Sequence, residues 1–256
     1  MPLLDPRATT DVRLTAHLVP VPGLAPAFDG FRIGQIADLD LFHGLHEAAR
    51  AAIALLDRER PDLVVLTGDQ WDRRRGAEAL GSWLRELPAA TRVLAVPGNH
   101  DYDAGFTRAG AERAHERGGA ELLANGAAVL RRGSAALAVV GLDDFRHGAT
   151  DPGAALSGID ADLPQIWLHH EPAQLDAIRF PPAARAALAL GGHTHGGQVR
   201  VLGTSPVRPR GAGRYLAGWY RSPIGPYYVS RGVGASGLRI RVDCPPELPI
   251  FTLVAG

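Results

Sequence analysis

The chain has 256 residues, and its 27 Lys and Arg balance its 27 Asp and Glu to a formal net charge of zero. Balanced charge argues against a broad nucleic-acid or anionic-lipid surface, although a local patch stays open. The single Cys244 excludes an intrachain disulfide framework and any cysteine-rich zinc or iron–sulfur site.

The hydrophobic fraction of 46% is ordinary for a globular protein with a sizeable core, and 31 Gly and 20 Pro point to loops that matter. No apolar run reaches the roughly 18 residues of a membrane span. The N-terminus lacks the charged-then-apolar order of a signal peptide, so the expected location is the cytoplasm, with peripheral contact at the inner membrane left open.

Residues 1–30 read as an irregular or edge-strand lead-in. Val12, Leu14 and Ala16 alternate with polar residues until Pro20, Pro22, Gly23 and Pro26 break the pattern. A short apolar strand over 31–40 ends on acidic residues. A helix follows over 45–60, with Leu45, Ala48, Ala52, Leu55 and Leu56 roughly on one face and Pro61 as its stop. A buried strand over 62–69, a helix over 77–87 and a third strand running into a polar loop over 91–101 complete three strand–loop–helix units. This is the grammar of an α/β protein with a mostly parallel sheet.

The second half changes character. A helix is expected over 109–118, short antiparallel strands with hairpins over 120–144, and a strand over 164–170 ending in two histidines. Residues 182–190 read as a short Ala-rich helix, 189–202 as strand–loop–strand, 205–228 as loop, and the tail as two strands. With no repeat and no linker, a second sheet packed on the first inside a single domain spanning 1–256 is expected.

Five clusters sit at the ends of predicted strands: Asp38-Leu39-Asp40, Gly68-Asp69, Gly98-Asn99-His100-Asp101, His169-His170-Glu171-Pro172 and Gly192-His193-Thr194-His195-Gly196. In open α/β sheets that is where ligands bind. The clusters offer oxygen and imidazole donors without sulfur, and too many for one tetrahedral ion. Such a set suits a pair of divalent ions, Mn or Fe before Zn, which activate water and neutralise a phosphoryl group. Singly each cluster is weak, since Asp-x-Asp is usually a solvated loop or cap and Gly-Asn-His-Asp a turn. Their order and spacing together are the signal.

That order resembles the calcineurin-like metallophosphoesterases, whose signature runs Asp-x-His, Gly-Asp-x-x-Asp, Gly-Asn-His-Asp/Glu, a lone His, then Gly-His-x-His. The resemblance extends from about residue 31 to the end. The run Gly191–Gln198 and the tail from Tyr227 are similar to the YkuE/YaeI-like branch of bacterial phosphodiesterases, some relatives of which hydrolyse UDP-2,3-diacylglucosamine. The resemblance implies a four-layer α/β/β/α sandwich of two mixed β-sheets and hydrolysis of a phosphodiester or pyrophosphate by a metal-activated hydroxide. It implies Asp38 and His195 on the first metal, Asp69 as bridge, and Asn99, His170 and His193 on the second. His100 would contact the phosphoryl group or protonate the leaving group, with Asp101 orienting its ring. His169 would lie behind His170, and Asp72 would be structural or support a ligand.

The departure is Asp40, where the family usually has His. Direct ligation by Asp40 is the expectation adopted. The other readings are a water in the gap, recruitment of His43 or His46 from the following loop, or an impaired first site. Trp71 and Tyr102, which follow metal motifs, and Arg208, Arg214 and Trp219 from the late loop are expected to bind substrate, against the alternative of a surface loop anchored by its aromatics. The expected partner is a small-molecule or lipid-linked phosphoester, with no obligate nucleic acid. A nuclease of the same fold and a non-catalytic scaffold are the competing readings. Cys244 is expected to be a buried filler far from the motifs.

Overall fold

The structure, a computed structural model, describes residues 10–206 and 208–256. Two mixed six-stranded sheets face each other. The first has the order β1 (Arg13–Val21), β12 (Glu247–Ala255), β2 (Arg32–Ile36), β3 (Leu63–Thr67), β4 (Arg92–Val96) and β5 (Ala120–Leu122). The second has the order β10 (Gly218–Ser222), β11 (Gly225–Val229), β9 (Ala186–Gly191), β8 (Gln165–Leu168), β7 (Ala135–Gly141) and β6 (Gly126–Arg132).

Strand alternation builds the layers. Successive side chains of a strand point to opposite faces. Leu63 and Val65 of β3 therefore enter the core between the sheets, where they join Leu137, Val139, Ile166, Leu168, Leu188 and Leu190. Val64 and Leu66 face the other way, onto helices α1 (Glu47–Glu59), α2 (Arg74–Arg85) and α4 (Arg108–Glu116). Buried on both faces, β3 reads LVVLT without a polar break until its end, as a central parallel strand should. The outer face of the second sheet carries Ala138, Val140, Trp167, Ala189 and Tyr227, covered by the short helices α5 (Pro152–Ala155) and α6 (Gln174–Ala177) and by loop residue Tyr215. The expected four layers are present.

Several local expectations are corrected. The Ala-rich segment expected to be helical over 182–190 forms β9, which sits between β8 and β11 and is buried along most of its length. Helix propensity is a weak prior, and a central sheet position with partners on both sides overrides it. In the region expected to be antiparallel over 120–144, β5 instead pairs parallel with β4 at the edge of the first sheet, and only β6 and β7 form a hairpin. The region expected to be loop over 205–228 includes the β10–β11 hairpin. The second strand expected within 189–202 is reduced to isolated bridges at Val199 and Val201. Of the two readings of the lead-in, the edge strand holds for 13–21: β1 lies parallel to β12 at the sheet edge.

β2, β3 and β4 run parallel, as do β7, β8 and β9. Their carboxyl ends therefore release the donor clusters of both sheets toward one rim. A fifth segment, the short helix α3 (Asn99–Asp103), opens directly after β4.

Candidate metal centre

The backbone at this rim is bent into a conformation that most side chains avoid. Asp38, Asp40, Asp69, His193 and His195 all have positive φ, between 48° and 70°. Asp, Asn and His tolerate this region best among non-glycine residues, and such strain persists where packing over-determines it. Glycines permit the close approach. A methyl group on Gly68, whose φ is +90°, would sit 2.2 Å from Nδ1 of His170. One on Gly98 would sit 2.3 Å from the backbone nitrogen of Asp69.

One donor cluster joins the sheets through Asp69, His170 and His193, all buried, with one donor atom from each within 4.8 Å of the others. Nδ1 of His170 lies 2.9 Å from the Thr67 carbonyl, which can only accept, so that nitrogen carries a proton. Nε2 of His170 thereby faces Oδ2 of Asp69 at 3.1 Å and Nδ1 of His193 at 3.2 Å. Nε2 of His193 is likewise occupied by the Arg210 carbonyl. These outer contacts set the ring orientations, as the supporting hydrogen bonds of metal-site histidines do. Burial opposes ionisation of Asp69, yet the imidazoles of His170, His100 and His193 hold its carboxyl well below the ordinary range. The Asn99 carbonyl oxygen Oδ1 is buried without a hydrogen-bond partner.

A second cluster combines Asp38, Asp40 and His195. Nε2 of His195 lies 3.7 Å from Oδ1 of Asp38 and 3.6 Å from Oδ2 of Asp40. The Asp38 carboxylate accepts the His193 backbone N–H at 2.8 Å. Burial pushes Asp38 up to about 7, with His170 opposing and Asp69 adding to the rise. Both carboxylate oxygens of Asp40 are buried without a hydrogen-bond partner. Burial and the nearby Asp72, Asp38 and Asp69 push its carboxyl well above the ordinary range. Buried acceptors in this condition are costly unless paired or coordinated. With Asn99 and the neighbouring imidazoles, they give a set of oxygen and nitrogen donors that suits hard or borderline cations.

The alternative donors for the first cluster are elsewhere. His46 caps α1, accepting the Ala49 N–H at Nδ1 and placing Nε2 2.7 Å from the Leu39 carbonyl. His43 is exposed beside Phe42. His169 is buried against Tyr227, and burial drops its pKa to about 3.

The expected partner of His100 is corrected. Asp101 does not touch that ring. Its carboxylate accepts the backbone N–H groups of Gln70, Trp71 and Gly98, pinning the loops after β3 and β4 together. Asp72 takes the ring instead, with Oδ1 2.8 Å from Nδ1 of His100. The contact with Asp72 raises His100 to about 10 against the opposing effect of burial, with Asp69 and Asp40 adding to the rise. Nε2 of His100 faces the cleft, 4.0 Å from Asp69.

Two further residues carried no sequence signal of their own. Arg241 is fully buried behind the first cluster, with Nη2 3.3 Å from Nδ1 of His195 and Nη1 bonding the His195 carbonyl. Cys244 is not remote: its thiol donates to that same carbonyl at 3.2 Å. Both lie in the tail after β11, and only the return of the tail under the 191–198 loop brings them here.

The residues expected to bind substrate lie in varied surroundings. Trp71 is fully buried and packs on Phe106 and His115. The Tyr102 hydroxyl donates to Asp143 at 2.8 Å. Arg214 is engaged by Asp176 at 3.1 Å, and Trp219 packs on Tyr228 and Phe251. Arg208 stays exposed in the late loop, near the Gly213 carbonyl. Beside these donor clusters opens a cleft of about 500 Å³ bounded by Asp69, His100, His195, Val199, Pro209 and Leu238.

Two facing mixed sheets that converge O and N donors on one rim define a metal-dependent hydrolase site of the phosphoesterase type. The sequence model of the calcineurin-like phosphoesterases matches residues 31–197, and the chain belongs to that family. It is a metallophosphoesterase, a hydrolase acting on phosphoester bonds.

Among its relatives is the uncharacterized metallophosphoesterase YkuE of Bacillus subtilis, 32% identical over 249 residues that cover 94% of this chain and 85% of that protein. Phosphodiesterase YaeI of Escherichia coli is 34% identical over 212 residues, covering 79% and 74% respectively. A phosphopantetheinyl hydrolase structure from Mycobacterium tuberculosis is similar with a TM-score of 0.45 at 16% identity, over 78% of this chain and 89% of that one. Among the described residues, no helix is long and apolar enough to cross a membrane.

Proposed function

We propose that the protein is a phosphodiesterase or pyrophosphatase that holds two divalent ions, Mn or Fe in preference to Zn, and acts on a lipid-linked phosphoester. The observation that carries the two-ion reading is the set of buried acceptors left without partners, both oxygens of Asp40 and Oδ1 of Asn99, beside the Asp69–His170–His193 cluster. Asp38, Asp40 and His195 would hold one ion. Asn99, His170 and His193 would hold the other, with Asp69 between them. The chemistry such a pair supplies, when bound, is activation of water and neutralisation of phosphoryl charge.

The chain's own groups do the rest. Asp69 accepts the His100 backbone N–H at 2.8 Å, which fixes the start of α3 against the cluster. His100 presents Nε2 to the cleft while Asp72 faces its opposite nitrogen and favours the doubly protonated ring, which would give its Nε2 proton to the leaving oxygen and keep the one on Nδ1. Gln70 and Trp71, tied to Asp101, keep the Asp69 and His100 loops in register.

The apolar character of the cleft supports the lipid-linked part. Val199, Pro206, Pro209 and Leu238 line it, and Leu238 is 77% exposed. Exposed aliphatic clusters mark interaction sites. UDP-2,3-diacylglucosamine has the required chemistry of an acylated group joined through phosphate, and peripheral contact with the inner membrane from the cytoplasm follows from such a substrate.

The test is to strip and reload the protein with Mn and assay an aryl phosphodiester. Turnover by the wild type and its loss in Asp69→Asn support the reading. A protein that stays inactive after reconstitution, and binds no ions by elemental analysis, overturns it.

A further inference from the structure

A second cleft, of about 520 Å³, adjoins the first and shares His100 and Ser236 with it. Its character is opposite. Phe42, Arg73 and Arg239 line it where the first cleft has Val199, Pro209 and Leu238. The Phe42 ring contacts both guanidiniums, with Arg239 4.1 Å and Arg73 5.5 Å from its centroid. Cation–π contact of this kind holds an arginine in place without consuming its N–H donors.

The acids in this cleft are already engaged. Asp72 faces His100 with one oxygen and Arg239 with the other, at 2.8 Å and 3.2 Å. Asp103 lies 3.1 Å from Nε2 of His147. Arg73 has no carboxylate partner among the described residues, and Arg239 spends one nitrogen of its five-donor fork on Asp72. Arg73 therefore brings a guanidinium without a carboxylate partner to the cleft that His100 also lines.

We propose that Arg73 and Arg239 form an anion subsite beside His100, so that the preferred substrate carries a second phosphate on an arm of the ester next to the phosphoryl group attacked. The inference rests on the phosphodiesterase reading above and deepens it. The apolar cleft receives one arm and the Arg-lined cleft receives the anionic one, with His100 at the boundary. Arginine forks suit phosphate oxygens because two parallel donors match their spacing.

The test uses two p-nitrophenyl phosphodiesters with the same scissile bond. In one the second ester arm is a nucleoside, and in the other that nucleoside bears an additional phosphate. The Mn-loaded wild type is expected to prefer the doubly phosphorylated diester by about tenfold in kcat/KM, through KM, as one charge-assisted pair would give. Arg239→Leu and Arg73→Leu should each bring the ratio toward one, and Arg239→Lys should keep part of it. Because Arg239 also touches Asp72, the ratio is the readout, not the absolute rate.

A second arm needs no turnover. Calorimetry should show a nucleoside bisphosphate binding the wild-type protein more tightly than the monophosphate, with the difference gone in the Arg73→Leu, Arg239→Leu double variant. Equal handling of the two diesters by the wild type, or a binding difference that survives the double variant, overturns the subsite. If neither diester is hydrolysed but the calorimetric difference appears and vanishes as stated, the subsite stands and the phosphodiesterase reading falls.

Discussion

Asp72 places Oδ1 2.8 Å from Nδ1 of His100 and, through its other oxygen, holds Arg239 at 3.2 Å. The carboxylate next along the chain from His100, Asp101, faces away and binds three backbone N–H groups instead. Two acids that look alike in sequence thus have separable effects.

Asp72→Asn should slow hydrolysis of esters with poor leaving groups by roughly 10- to 100-fold, part of the usual gain from general acid catalysis, and should leave activated aryl esters much less affected. Asp101→Asn should instead destabilise the fold by about 2–3 kcal/mol, since an amide nitrogen would face backbone donors that the carboxylate now accepts. Steady-state kinetics on paired leaving groups, with thermal melts of both variants, separate the two.

The His100–Asp72 pair also sets a pH dependence in the metal-free protein. The folded-state pKa of His100, about 10, lies above its unfolded value near 6.5. A raised histidine contributes stability that is fully present below the unfolded pKa and is lost as pH rises through the folded one. Stability of the wild type relative to Asp72→Asn should therefore be greatest below about pH 6.5 and shrink up to about pH 10. Chemical denaturation across that range, with the His100 imidazole followed by NMR, checks both numbers.

Asp40 should show opposite effects on stability and on metal binding. Its carboxyl is pushed up by burial and by neighbouring acids, so ionising it in the metal-free fold costs stability as pH rises. Asp40→Asn should make the metal-free protein more stable at pH 7 while lowering ion content from two per chain toward one. A melt without metal and elemental analysis after Mn loading measure the two signs, and unchanged ion content would remove Asp40 from the ligand set.

Gly68→Ala should disable the other cluster. The added methyl meets His170 at 2.2 Å, and φ of +90° strains any residue with a Cβ. A loss of about 2 kcal/mol or more is expected from backbone strain and the clash together. Ion content should fall as His170 moves, and intact two-ion loading would contradict the role assigned to that approach.

The first-half fold was legible because its strands are continuous apolar runs bounded by helical periodicity and Pro stops. Asp62 and Pro61 mark the entry to β3, and Gly68 marks its exit. The second half was harder to read. β9 has an Ala-rich composition that local propensity assigns to a helix, and its strand state depends on the partners β8 and β11, which are distant in sequence. Trp71 followed a metal motif by one residue, but the bend at Asp69 turned it into the α2–α4 side of the core. Adjacency in the chain does not survive a change of backbone direction.

The sequence by itself determined the donor chemistry. One Cys meant oxygen and nitrogen ligands, and the order of Asp38, Asp69, Asn99, His170, His193 and His195 placed them at strand ends. Only the tertiary structure decided the supporting contacts. It chose Asp72 over Asp101 for His100, left Asp40 buried without a hydrogen-bond partner where His43 and His46 point elsewhere, and brought Arg241 and Cys244 from the tail to His195. The physical reason is that donors are fixed by residue type and strand position, which are local. Supporting contacts arise between loops that follow different strands, as Asp72 after β3 meets His100 after β4, and their distances exist only once those strands have paired and packed.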